Sequence, residues 1–512
     1  MADDVAELLK QAIAHHIARQ LANAERAYRA ILQVQPDHAH VHYLLGHLLY
    51  ETGRLQESVQ HQQRAAQFRP GVFEYRFELA QMYAEARRTD DAITAYQAAL
   101  ALRPDAVEVL QLLGNALQDA GRFDDAVNVY HRAIALRPDI PELHNNLGNA
   151  LQNLRRFDES IASYSNALEQ RRDYPDALNN LGCALKESGR WDEAISRFRG
   201  AIELRPEYPE AHWNVATALL TVGDLRAGWR HYEWRSHFAT TPPRAFNCPQ
   251  WRGELLDGRR ILLHAEQGFG DTIQFVRFVA EVVRCGGRIV LECQPQLVRL
   301  LKGVAEIETV VAQGEPLPPF DVHCPLLSLP LALNVSLQDL PGAVSYLRAG
   351  SKGVERWAGR LAGDTRRLKV GIAWAGSSLH VNDRNRSIAA DQLEVFGDVP
   401  NVAFYSLQTG GAAPPNLRLT NLTADLADFA DTAALVANLD MVITVDTAVA
   451  HLSAAMGKPT WILLPTPGDF RWLLHREDSP WYPTARLFRQ VEPSDWREPI
   501  ARVREALFAM AQ

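Results

Sequence analysis

Several segments of this chain set acidic, basic and small residues where a phosphate-bearing substrate could be handled. The first is Gln267-Gly268-Phe269-Gly270-Asp271-Thr272. It follows Arg260–His264, which reads as a buried strand, and precedes a helical pattern running from Asp271 to Val283. Two glycines at a strand's carboxyl end permit a tight turn and a close backbone approach. The helix start adds N–H donors and the positive end of a dipole. Asp271 there serves either as a helix cap or as a cleft carboxylate that takes the proton of an acceptor hydroxyl.

The second segment is Trp374-Ala-Gly-Ser377-Ser378, followed by His380, Asp383, Arg384 and Arg386. Small hydroxyl residues after a strand, with two arginine forks, suit a diphosphate; a polar surface loop is the plainer reading. The third is Asp446-Thr447-Ala448, after the strand-like Met441–Val445, with His451 five residues past the aspartate. The N–H groups of Thr447 and Ala448 suit a phosphate, while Asp446 also reads as a cap and His451 as a packed core residue. Gln408, just past Val402–Ser406, is placed on the same donor side. The fourth segment, Gly468 to Trp472 with Arg471 and then Trp481-Tyr482, would either shape a sugar or base pocket or close the domain. Patterns of the form GxSxG, HExxH and GxGxxG are absent, which removes support for hydrolase, zincin and dinucleotide readings.

These segments need elements to hold them. From residue 258 onward strands alternate with helices, which implies parallel sheets. The expected architecture is two doubly wound, Rossmann-like lobes, residues 258–350 and 351–512, after a turn-rich linker at 237–257 containing Thr241-Pro-Pro243. Ligands in such sheets bind at the carboxyl ends of the strands.

Residues 1–236 follow a different rule. Pro36, Pro70, Pro104 and Pro138 fall 34 apart, and Pro206 lies two periods further on. Tyr96, Tyr130, Tyr164 and Phe198 keep the same step, as do Gly114, Gly148 and Gly182. This is the period of tetratricopeptide repeats, each a helix pair stacked on its neighbours into an all-α superhelix with a concave groove. Repeats are expected to start near residues 5, 39, 73, 107, 141 and 175, with a divergent unit at 209–236. Gly53, Gly121, Gly189 and Gly223 mark the turn between the two helices, the proline ends the second, and the aromatic is expected to fill the gap between neighbouring units. Asn146, Asn180 and Asn214 also recur at 34 and line up on one face. They read as a ladder for the backbone of an acceptor peptide, or equally as solvent-facing amides. His15, His16, His38, His40, His42 and His47 lack zinc-site spacing.

The chain has 512 residues and a net charge of −8, which argues against a general nucleic-acid binder. Five cysteines without CxxC spacing suit a reduced, cytoplasmic setting. Neither a signal peptide nor a membrane span is expected.

The runs Glu266 to Arg277, Gly371 to Gly376 and Asp446 to Pro459 resemble those of bacterial heptosyltransferase-like transferases. With the repeats and Gly228-Trp-Arg-His-Tyr-Glu-Trp-Arg235, the chain resembles bacterial repeat-containing glycosyltransferases, some of which are implicated in glycosylating flagellin or other proteins. The array is also similar to that of protein O-GlcNAc transferases, whose grooves carry an asparagine ladder. The resemblance implies a two-lobed GT-B fold and an inverting, metal-independent reaction without cofactor. It implies Asp271 as catalytic base, and Asp446, Thr447 and His451 on the donor's diphosphate and nucleoside. Ser377, Ser378 and either Arg384 or Arg386 would contact phosphates; Gln267, Gly268, Gly270, Thr272, Trp374, Ala448 and Arg471 complete the donor side. The partners implied are a nucleotide sugar and a protein acceptor held by the repeats. The competing readings are a non-catalytic scaffold on a degenerate transferase fold and a lipopolysaccharide-type saccharide transferase. The sugar, the nucleotide base and assembly into a homo-oligomer are left open.

Overall fold

The computed structural model describes residues 2–238, 244–340, 345–377 and 382–512. Two compact units meet in sequence between Pro206 and Glu207.

The first unit is all helix. After Ala2–Ile17 and Leu21–Val34, first helices begin at Ala39, Phe73, Val107, Pro141 and Pro175, each followed by a second helix that ends at Phe68, Leu102, Leu136, Gln170 and Leu204. Caps at Arg69, Arg103 and Arg137 leave the helical region, with ψ of 78°, 85° and 87°, as a residue before proline does. Gly53, Gly121 and Gly189 turn the chain with φ of 76°, 71° and 79°. Arg19, Arg87 and Arg155 occupy the same register in the alternate repeats with φ of 57°, 56° and 61°. The turn geometry is thus common to all of these repeats, although glycine supplies only every second one. The aromatics have a different place from the one expected. A Cβ on Gly148 would lie 2.5 Å from the ring of Tyr164, and one on Gly182 would lie 2.5 Å from Phe198. Each ring therefore packs on the glycine of its own repeat's first helix, and the missing side chain lets the two helices of one repeat close.

The second unit begins earlier than the expected boundary at 236. Helices Pro209–Val222 and Leu225–Tyr232 belong to it, because Trp229 and Tyr232 are buried in its core against Phe470, with Trp229 also edge-on to Phe275. Trp251 and Leu256, in the segment read as a linker, are buried in that core too.

The unit holds two parallel sheets. The first contains β1 (Arg260–His264), β2 (Arg288–Cys293), β3 (Ile307–Ala312) and β4 (Val322–Pro325), in the order β3-β2-β1-β4. The second contains β5 (Leu368–Ala373), β6 (Val402–Ser406), β7 (Leu419–Asn421), β8 (Met441–Val445), β9 (Thr460–Leu464) and β10 (Ala485–Arg489), in the order β10-β9-β8-β5-β6-β7. Read from its other edge this is the doubly wound order, whose direction of winding reverses between β5 and β8. In the first sheet the same reversal falls between β1 and β4. Chain leaving β1, β5 and β8 therefore emerges at crevices that the topology itself opens. Among the described residues no helix is long and apolar enough to cross a membrane.

Candidate functional site

The helix after β1 is Phe269–Phe275, with Gly268 as its N-cap. It starts two residues before the expected Asp271, so Asp271 is not the capping residue but lies in the first turn. Its Oδ2 reaches back to accept from the Gly268 N–H at 2.9 Å. Its Oδ1 accepts from the guanidinium of Arg471. Thr272 is buried and donates to Gln294 Oε1 at 2.9 Å, and Gln294 Nε2 holds the Gln267 carbonyl at 2.7 Å. Thr272 thus braces the loop from inside.

Arg471 enters from the loop after β9. Its Nε donates to Gln274 Oε1 and another nitrogen donates to Asp469 Oδ1, both at 2.8 Å. With Asp271 on the third nitrogen, the fork is committed in three directions. The domain-closing reading of Arg471 fits this better than a direct role on a sugar or phosphate. Asp469 lies in the fourth segment and Gln274 in the run Glu266 to Arg277, but the sequence singles out neither, because the role of each is defined only by its contact with Arg471.

His451, on the helix Ala448–Ala455 after β8, faces the same helix start. A Cβ on Gly270 would fall 2.7 Å from His451 Cδ2, so only glycine fits there. The imidazole stacks on Trp472 at 5.4 Å, and its Nδ1 pairs with Tyr482 Oη at 2.9 Å. Burial, then the Arg471 charge, pushes its pKa down to about 3. It is therefore a neutral packing residue, and its 3.9 Å approach to Asp446 is not an ion pair. Asp446 moves the other way. Burial, then the nearby Asp469 charge, raises its pKa to about 6. Thr447 is the N-cap of the His451 helix, and its Oγ1 lies 3.2 Å from Thr444 Oγ1. The N–H groups of Ala450 and His451 donate to the Thr447 carbonyl at 3.0 and 3.4 Å, which leaves those of Ala448 and Val449 without an acceptor within the helix.

The loop after β5 completes the cluster. Arg386 donates to the Asp446 carbonyl at 3.2 Å and to Asp383 Oδ1 at 3.3 Å. Its guanidinium covers Gly376, where any Cβ would collide with it. Arg384 is exposed on the same short helix, Asp383–Arg386. Of the two arginines, Arg386 joins the cluster. Gln408 Oε1 accepts from the N–H groups of Trp374 and Ala375 at 3.1 and 2.9 Å, so it fixes the exit from β5. The Trp374 ring is buried in the core of the second sheet, and only its backbone reaches this edge. Ser377 adjoins the cluster in sequence; Ser378 and His380 lie outside the described residues.

A second anchor lies behind the Asp271 loop. Arg235, 3% exposed, pairs with Glu233 at 2.7 Å and Glu266 at 2.9 Å and donates to Ser328 Oγ at 2.7 Å. It fixes the residue that precedes Gln267.

In the first unit, Asn146 Nδ2 donates to Asn115 Oδ1 at 3.0 Å, and Asn180 Nδ2 donates to Asn149 Oδ1 at 3.2 Å. Tyr130 and Tyr164 hydroxyls donate to those same acceptors at 2.7 Å. The triad Asn115–Tyr130–Asn146 recurs 34 residues on as Asn149–Tyr164–Asn180. The row therefore ties each repeat to the one before it. Asn214 lies in the second unit, on the helix Pro209–Val222.

Comparison with known proteins follows this division. Tetratricopeptide repeat models match residues 9–72, 65–107, 114–154 and 139–207. The model of glycosyltransferase family 9 (heptosyltransferase) matches residues 410–464, which span β7, β8 and β9. Protein FlbA of Caulobacter vibrioides is 27% identical over 323 residues, 57% of this chain and 54% of its own. The chain thus spans about half the length of that relative. Among solved structures, MamA aligns at 21% identity with a TM-score of 0.31, over 32% of this chain and 95% of its own. YrrB, described as a tetratricopeptide repeat protein with an unusual peptide-binding site, aligns at 19% with 0.33, over 37% and 97%. A tetratricopeptide repeat protein from Parabacteroides merdae aligns at 13% with 0.38, over 46% and 94%. The chain is a tetratricopeptide-repeat protein whose C-terminal α/β part carries a glycosyltransferase-like region.

Proposed function

We propose that this protein moves a sugar from a nucleotide-sugar donor to the hydroxyl of a protein acceptor presented by the repeats. The observation that carries this reading is convergence. Asp271, Arg386, Asp446, Thr447 and Arg471 come from four loops, and contacts through Gly270, His451 and Asp469 link them at the strand ends of two parallel sheets. A GT-B arrangement of two such lobes leaves the donor on the second and the acceptor on the first. Asp271 then takes the acceptor proton as the hydroxyl attacks the anomeric carbon, and the nucleoside diphosphate departs with inversion. Arg386 and the first turn after Thr447 stabilise the charge on that leaving group, without a metal. Both Asp271 oxygens already accept one hydrogen bond each, but a carboxylate oxygen has a second acceptor site for the incoming proton.

A second reading rests on that same occupancy. If Arg471 never releases Asp271, the lobes bind a nucleotide sugar without turnover and the protein is a scaffold. Calorimetric titration with ADP, UDP, GDP and CMP decides the first step. One nucleotide binding, weakened by Arg386→Ala, supports the donor site; no binding by any of the four overturns the enzyme reading. Sugar transfer to a protein acceptor that is lost in Asp271→Ala supports the base, whereas binding without transfer selects the scaffold.

A further inference from the structure

A cavity of about 570 Å³ lies apart from the Asp271 cluster and shares no residue with it. Three segments build it: the end of the helix Pro295–Leu301 and the turn after it, the stretch Arg348 to Arg356, and the start of the helix Phe429–Ala437. Four of its lining residues are cations, Arg299, Arg348, Lys352 and Arg356, and one, Asp431, is an anion. Arg299 and Arg356 both pair with Asp431, and Arg299 also pairs with Asp428 at 2.9 Å. Arg348 and Lys352 have no carboxylate partner among the described residues, and both side chains belong to exposed residues. With both aspartates counted, the four cations leave two positive charges unmatched.

We propose that this cavity binds a small molecule carrying a diphosphate or two phosphate groups, at a site additional to the donor site. Arginine's planar fork takes two phosphate oxygens at once, and the lysine ammonium adds a mobile point charge. Between them lies the start of the helix Ser351–Leu361, whose N-cap is Gly350 and carries no side-chain cap, so its first N–H groups and dipole add to the same field. Gly350 has nothing within 4 Å of its Cβ direction, so a phosphate could approach the backbone there, while Gly353 lets its helix close on Ala434. The volume is within the range of small-molecule sites and exceeds what two phosphates need, so an organic group fits beside them. Asp428 and Asp431 hold Arg299 and Arg356 in place before the ligand arrives.

The test is calorimetric titration of the full chain with inorganic pyrophosphate. It compares wild type, Arg348→Ala/Lys352→Ala and Arg386→Ala. These first two side chains are exposed, so the double variant should fold, and its melting temperature checks this. The expected result is binding that weakens about tenfold or more in the double variant, as loss of two charge-assisted contacts implies, and that persists in Arg386→Ala. Equal binding in wild type and the double variant overturns the proposal, and so does no binding by wild type. Loss in Arg386→Ala alone assigns the ion to the donor site, which overturns this proposal and leaves the proposed function standing.

Discussion

Arg471 holds Asp271 from 200 residues away in sequence, and the same guanidinium holds Asp469 and Gln274. The carboxylate best placed to act as a base is therefore positioned by the second sheet's own loop. The loop after β1 and the loop after β9 form one structure, and the geometry of the candidate base depends on both.

Replacing Arg471 should unfold more than it inactivates. Arg471→Met leaves Asp469 and Asp271 without their shared cation, a loss of about 3–5 kcal/mol for a largely buried pair. Arg471→Lys should recover little, since one ammonium cannot serve three acceptors lying in three directions. Asp271→Asn in the Arg471→Met background should restore part of the loss by removing one uncompensated charge. Denaturant midpoints measure all four proteins. A single-variant cost below about 1 kcal/mol would place the pair among ordinary surface bridges and remove the anchoring role.

Asp446 should make donor binding sensitive to pH. Its folded-state pKa of about 6 lies above its ordinary 3.8 because burial and then Asp469 disfavour the carboxylate. Below about 6 the group is neutral and does not repel a diphosphate; above it, it does. Nucleotide affinity should therefore fall as pH rises from about 5 to 7, and Asp446→Asn should flatten that profile. Stability follows the same sign. Between 3.8 and about 6 the folded chain holds a proton that the unfolded chain has released, so this group's contribution is lost as pH rises through about 6. An Asp446→Asn profile parallel to wild type would reject the assignment.

The repeats were almost fully legible in the sequence, because each position recurs and every recurrence repeats the same physical demand. Helix starts at residues 39, 73, 107, 141 and 175 follow directly from the period. What the period hides is conformation. Arg87 and Arg155 adopt the left-handed turn that glycine adopts at residue 121, because tertiary packing of both flanking helices overrides the arginine's preference. In the second unit the central strands β5, β6, β8 and β9 announced themselves as continuous apolar runs. The edge strands did not: β3 is half exposed, β4 and β7 have four and three residues, and β10 breaks its apolar run with two arginines. The site motifs could be read as sequence, but not the division of labour within them. Whether His451 is a ligand or packing is set by its contacts with Tyr482 and the distant Gly270, and whether Arg384 or Arg386 turns inward by a contact with Asp446, 60 positions away.

Two glycines separate packing from propensity. Gly148→Ala puts a methyl group into the Tyr164 ring and should cost about 1–3 kcal/mol as overpacking. Gly359, exposed on the helix Ser351–Leu361, has nothing within 4 Å of its Cβ direction. Gly359→Ala should stabilise by up to about 1 kcal/mol through helix propensity alone. Melting temperatures compare the two. Equal effects of the same sign would mean that Gly148 is not what brings its helix pair together.

The asparagine row yields a sharper contrast, because two copies of one triad differ in redundancy. Asn115 Oδ1 is the acceptor for both the Tyr130 hydroxyl and Asn146 Nδ2. Asn149 fills the same role, but Tyr164 also reaches Gln152 Oε1 at 2.9 Å and Asn180 also reaches Asn145 Oδ1 at 3.1 Å. Asn115→Ala therefore strands the Asn146 amide and leaves the buried Tyr130 hydroxyl only the hydrogen bond it accepts from Gln118 Nε2 at 2.7 Å, and should cost about 1–3 kcal/mol. Asn149→Ala leaves each donor a partner and should cost less. A double-mutant cycle between Asn115→Ala and Tyr130→Phe should show a coupling of about 0.5–1.5 kcal/mol, the worth of the shared bond. If both asparagine variants melt like wild type but lose affinity for an acceptor protein, the row serves a peptide and not the stack. If Asn115→Ala melts early and Asn149→Ala does not, the amides are the joints between repeats, and an acceptor must be held by other side chains of the groove.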